Sequence, residues 1–224
     1  MRTQLRIGCC GDIRQYIFGI GGFFSERAEI VLARPQAKTE LAQIVARKDL
    51  PPHLRVYAQE MLMKAGQPQN PSLVEDYCYT LQNSGYIKLF HDPWGLPGVD
   101  IGDFGRTLIS YRQAALPCLS RLLNDNNELI YGGNGELRAV ASGMQYRIYD
   151  LAAYLITQIL ELPSNNDPDP TLPNLQIQDL RRRLGLAPNK GEEQFPPVRF
   201  SPNTIIDEVV QRSRVEPTMQ FSKP

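Results

Sequence analysis

Residues 35–65 read PQAKTELAQIVARKDLPPHLRVYAQEMLMKA, and the class of the fold turns on them. Ala37, Leu41, Ile44 and Val45 recur at helical spacing, with Lys38, Glu40, Gln43 and Arg47 on the opposite side, so the spacing predicts an amphipathic helix over 36–48. Pro51-Pro52 then breaks the chain and opens a second helix, 52–65, because proline suits a first helical turn, where its missing N–H is not needed. Leu54, Tyr57, Ala58, Met61 and Leu62 form its apolar stripe. Two short amphipathic helices joined by a few residues make a helical hairpin.

The same grammar continues outward. Asp12 opens a glycine-interrupted helical stretch, 12–33. Downstream, Pro71-Ser72 opens a helix over 72–83, Asp103 caps a short one over 104–111, and Pro117 lies in the first turn of another at 114–124. Residues 145–161 are apolar over most of a helical circumference, which marks a buried helix. A basic helix, 174–185, ends in Arg181-Arg182-Arg183. No alternation of strands with helices and no Asn-Gly hairpin signal interrupts the series. The expected class is all-α, with an N-terminal extension at 1–11, a helical domain at 12–186 and a proline-rich extended tail at 187–224. The core expected is Leu41, Ile44, Leu54, Tyr57, Leu62, Trp94, Phe104, Leu108, Leu116, Leu119, Leu151, Leu155 and Ile159.

Some motifs go beyond class. Trp94-Gly-Leu-Pro-Gly98, Asp103-Phe-Gly-Arg-Thr-Leu-Ile109, Ala114-Ala-Leu-Pro117 and Tyr146-Arg-Ile-Tyr-Asp-Leu-Ala-Ala-Tyr154 follow one another in order. With the helices of 37–65 and 114–123, this set resembles a group of uncharacterised bacterial HEAT-like (armadillo-type) helical repeat proteins, over roughly residues 30–185. The resemblance implies an irregular array of helical hairpins and extended binding surfaces, and it implies no particular reaction.

Composition narrows the function classes. The 224 residues carry 24 basic and 24 acidic side chains, which argues against a dedicated nucleic-acid binder. The longest apolar runs are too short to span a bilayer. With only His53 and His91 as histidines, most metal and acid–base schemes lack their usual residue. Adjacent Cys9 and Cys10 do not bridge each other, no Cys-x-x-Cys spacing exists, and Cys78 and Cys118 read as buried small hydrophobes. Cysteine use therefore points to a reducing setting, cytoplasmic or at the periphery of a membrane assembly.

Four groups of residues stand as candidate sites. The loop 91–103 gathers His91, Asp92, Trp94, Asp100 and Asp103. It reads either as a divalent-cation or ligand site of mixed N and O donors or as a structural loop, with Trp94 in the core, glycines in turns and aspartates capping helices. Arg147 and Asp150, three apart on one helix face, and Glu136 upstream read either as a structural Arg–carboxylate cluster that fixes the glycine-rich loop against helix 145–161 or as a polar binding site, and the set has no nucleophile or histidine base for catalysis. The tail keeps an apolar phrase from Phe195 to Phe200 and a stripe at Ile205, Ile206, Val209 and Val210, which predicts an extended segment with a short helix at 203–213 that docks on a surface. Residues 1–24, basic and then apolar, would give peripheral membrane contact. The function expected is a non-enzymatic scaffold or accessory subunit that binds other protein subunits, without cofactor or metal. A small-ligand protein or enzyme using the 91–103 loop and the Glu136/Arg147/Asp150 cluster is the rival expectation, and a peripherally membrane-attached protein is another.

Overall fold

The computed structural model describes residues 25–84, 91–131, 146–162 and 171–186. These residues are mainly helical. In chain order they form α1 (Ser25–Leu32), α2 (Ala37–Ala46), α3 (Pro52–Lys64), α4 (Val74–Gln82), α5 (Asp103–Ser110), α6 (Leu116–Leu122), α7 (Ile148–Ile159) and α8 (Thr171–Arg183), with short 3-10 turns at Pro71–Leu73, Asp92–Trp94 and Arg112–Ala115.

The 35–65 stretch folds as its spacing predicts, into the antiparallel neighbours α2 and α3, with Pro52 in the first turn of α3. α4 packs on the other side of α3. That central position buries α3 from Arg55 through Leu62, polar residues included, where the apolar stripe alone predicts one wet face. Arg55 is satisfied there: its Nε donates to Val45 O at 3.2 Å and its guanidinium pairs with Asp76 at 2.7 Å. α6 packs on α4 and α7, α5 packs on α7, and α8 closes on α7. Ile148, Leu151, Leu155 and Ile156 of α7 are buried, as an all-round apolar helix requires. Of the expected core, Leu41, Ile44 and Leu54 are only partly buried, packed against the core from its edge.

Helix ends follow backbone chemistry. Gly66 and Gly185 take positive φ just beyond α3 and α8, and the next residue's N–H returns to the final turn, Gln67 to Leu62 O and Leu186 to Arg181 O, both the Schellman arrangement. Glu161 takes the same place after α7, with φ of 53° and Leu162 N–H donating to Thr157 O at 2.9 Å.

Two expectations need correction. The 91–103 loop contains a hairpin: β1 (Gly95–Leu96) pairs antiparallel with β2 (Asp100–Ile101). Its turn is Leu96-Pro97-Gly98-Val99, closed by Val99 N–H to Leu96 O at 3.0 Å, with Gly98 at φ 75°. Proline followed by a positive-φ glycine fits a type II turn, a signal different from the Asn-Gly pair. Second, Cys78 and Cys118 are buried as expected, but they are joined in a disulfide that fastens α4 to α6. Disulfides persist in oxidising surroundings, so cysteine use no longer argues for a reducing one.

Of the expected helix 12–33, only α1 lies within the described residues. Glu136, the 1–24 segment and the 187–224 tail lie outside them.

Candidate functional site

The 91–103 loop is built inward from its tightest contacts. A Cβ at Gly95 would stand 2.4 Å from Asp100 O, one at Gly102 would stand 2.2 Å from Pro93 O, and one at Gly105 would stand 2.3 Å from Trp94 O. Each obstacle is backbone, so no side-chain rotation relieves it. Three glycines thus let the 92–94 turn, the hairpin and the start of α5 pack backbone to backbone. This close packing drives Trp94 inward until it is fully buried. Its indole N–H donates to Ser84 Oγ at 3.2 Å, and its ring stands edge-on to Phe104 at 5.2 Å and to Tyr77 at 6.4 Å, the geometry aromatic quadrupoles favour.

His91 anchors the loop to the segment that follows α6. Its backbone N–H donates to Ile130 O, and Ile130 N–H donates to its Nδ1, both at 2.8 Å. Because Nδ1 accepts that bond, the ring proton sits on Nε2. Nε2 is buried without a hydrogen-bond partner among the described residues. Burial pulls the His91 pKa down to about 4, offset only in part by Ile130 O, which lies 3.1 Å from Nδ1 and would accept from a protonated ring. His91 is therefore a neutral imidazole at pH 7. Tyr131 adds a second fastening, its hydroxyl donating to Gly95 O at 2.9 Å. Burial raises the Tyr131 hydroxyl well above its ordinary range, so it acts only as a neutral donor. The 127–131 segment is tied in turn to the start of α7 by Leu129 N–H to Tyr146 O at 2.8 Å and Ile148 N–H to Asn127 O at 2.9 Å.

The aspartates of the loop diverge. Asp92 opens the 3-10 turn that ends at Trp94, and Asp100 lies exposed on β2. Asp103 is the first residue of α5; the capping position belongs to Gly102, and the Asp103 carboxylate pairs with Arg106 at 2.7 Å on the surface. A metal ligand must offer a lone pair, whereas His91 presents an N–H at Nε2 and has Nδ1 engaged. Among the described residues no group of three or more His, Cys, Asp or Glu side chains is placed to hold a metal ion.

Arg147 and Asp150 are brought together at the start of α7. Arg147 N–H donates to Asp150 Oδ2 at 2.8 Å, and the Arg147 guanidinium lies 5.3 Å from the centre of the Tyr149 ring. Both residues are half-buried. Their geometry is that of a helix cap with a cation–π contact. Glu136, Phe195, Phe200, Ile206 and Val210 lie outside the described residues.

A polar cluster elsewhere carried no motif in the sequence. Glu60 of α3 is buried, and Tyr77 of α4 donates its hydroxyl to Glu60 Oε1 at 2.6 Å. In a lone chain Glu60 looks like any helical glutamate. Only the packing of α4 against α3 reveals it. Among the described residues no helix is long and apolar enough to cross a membrane. No family model, curated protein or solved structure matches the chain.

Proposed function

We propose that the chain is a non-enzymatic scaffold or accessory subunit that binds other proteins through the face made by the 95–101 hairpin and the 128–131 segment. One observation carries this reading. His91 and Tyr131 fasten these two segments together, and on that base each segment exposes a large apolar side chain, Val99 at 57% and Ile130 at 49%. A glycine-built, tightly hydrogen-bonded loop costs little further ordering when it docks, and an apolar residue held outward on it is an anchor for a partner's pocket. The succession α2, α3, α4, each packed on the next, supports an irregular HEAT-like arrangement, a kind of fold that offers broad surfaces to partners. The 187–224 tail is a second contact in this proposal, with its 203–213 segment as anchor.

The test uses the tagged full chain in its native source, beside a Val99→Asp/Ile130→Asp double variant. The expected result is a stoichiometric co-purifying protein that is lost in the variant, with circular dichroism and melting temperature unchanged. A wild-type chain that emerges alone and monomeric defeats the proposal.

A further inference from the structure

The junction of α3, α4 and α5 holds an acid with no ion-pair partner among the described residues. Glu60 is only 7% exposed. Its hydroxyl donor, Tyr77, is fully buried and stands edge-on to Trp94, Phe104 and Tyr111. The charged and titratable groups facing the carboxyl are Tyr77 from α4, Asp103 and Arg106 from α5, and Tyr111 just beyond α5. Arg106 is engaged with Asp103 at 2.7 Å, and Arg55, on the same helix as Glu60, is engaged with Asp76 at 2.7 Å. No cation forms an ion pair with Glu60 among the described residues. A carboxylate in such a place is costly, and protonation removes the cost.

We propose that Glu60 is a proton-operated latch: carrying its proton it completes the aromatic junction with Tyr77, and on losing it leaves an uncompensated buried charge that loosens α3 from α4 and α5. Trp94 belongs to the same aromatic wall, so the loosening reaches the 91–101 loop. Burial pushes the Glu60 pKa up to about 7, against the hydrogen bonds of Tyr77 and Thr107, which puts the transition near neutrality. The unfolded chain releases this proton at the ordinary value, 4.5. The latch therefore stabilises most at acid pH, and its contribution falls as pH rises from about 4.5 to about 7.

The experiment compares thermal unfolding of the full chain and its Glu60→Gln variant from pH 5 to pH 8.5. The amide stays neutral, so the variant's melting temperature should rise relative to wild type as pH increases, by about 5 °C across the range. A difference that does not change with pH overturns the proposal. Should Glu60→Gln fail to fold, the carbonyl stretch of the protonated acid is followed by infrared spectroscopy in wild type and in Tyr77→Phe. Persistence of that band to neutral pH, with its midpoint moved upward when the Tyr77 hydroxyl is removed, supports the latch. Loss of the band within the ordinary carboxylate range refutes it.

Discussion

The α2–α3 hairpin and the 91–103 loop are ordered by different physics. The hairpin rests on repetition: apolar side chains at helical spacing, a proline at the start of α3, and a glycine just past its end. Each contact is replaceable by another of the same kind. The loop rests on fit. Backbone meets backbone at three glycines, one indole fills one hole, and one imidazole bridges to Ile130. Cooperative, distributed packing should absorb a single defect, and a fitted loop should not.

The largest expected effect tests that contrast directly. Trp94→Ala empties a fully buried site and should cost about 4 kcal/mol, whereas Leu54→Ala, at the partly buried edge of the hairpin, should cost less than about 2 kcal/mol. Urea unfolding of both variants measures the gap, and equal losses would break the comparison. Next in size is a pair of glycines. Gly102→Ala drives a methyl into the backbone of Pro93 and should cost about 3 kcal/mol or more. Gly66→Ala meets nothing within 4 Å and should cost about 1 kcal/mol, the price of a non-glycine residue at positive φ.

The same contrast explains what could be read beforehand. Helices α2, α3 and α7 were legible because 3.6-residue periodicity and Pro52 are local signals. The burial of Glu60 was not, because it depends on α3 lying between α2 and α4. The hairpin escaped because its turn uses Pro97-Gly98 in place of Asn-Gly. The glycines at 95, 98, 102 and 105 could be seen, but which backbone atoms they approach is a tertiary fact. Cys78 and Cys118, 40 residues apart, become partners only once α4 packs on α6. Among the nominated site residues, Trp94 was read as a core filler in the structural alternative for the loop, while the cap at the start of α5 falls to Gly102 rather than to Asp103.

The two regions should also answer acid in opposite senses. His91 takes a proton at about 4 when folded and at its ordinary 6.5 when unfolded. Its contribution is complete above about 6.5 and is lost as pH falls toward about 4, by as much as roughly 3 kcal/mol. Glu60 gains over much of that interval, so the two contributions should largely offset each other in the wild type. Glu60→Gln should expose a steep acid loss in denaturant unfolding between pH 7 and pH 4.5, and adding His91→Asn should abolish it. A slope that survives the double substitution would place its origin elsewhere.

The smallest effect sharpens the account of helix ends. Glu161 occupies the position that Gly66 and Gly185 fill after their own helices, and its carboxylate meets exposed Arg112 at 3.3 Å. Glu161→Gly relieves the positive φ at the loss of a surface pair worth little, so a gain of about 0.5 kcal/mol is expected, read as a slight rise in melting temperature.

The disulfide gives the molecule a covalent topology that its helices do not suggest. Residues 78 and 118 close a ring of main chain, and the exposed hairpin tip at Gly98 and Val99 lies on that ring. A protease that cuts at the tip opens the ring without dividing the molecule. The nicked chain should run as one species on a non-reducing gel and as two fragments after reduction, so a cleavage event there would be invisible to mass alone except for the added water.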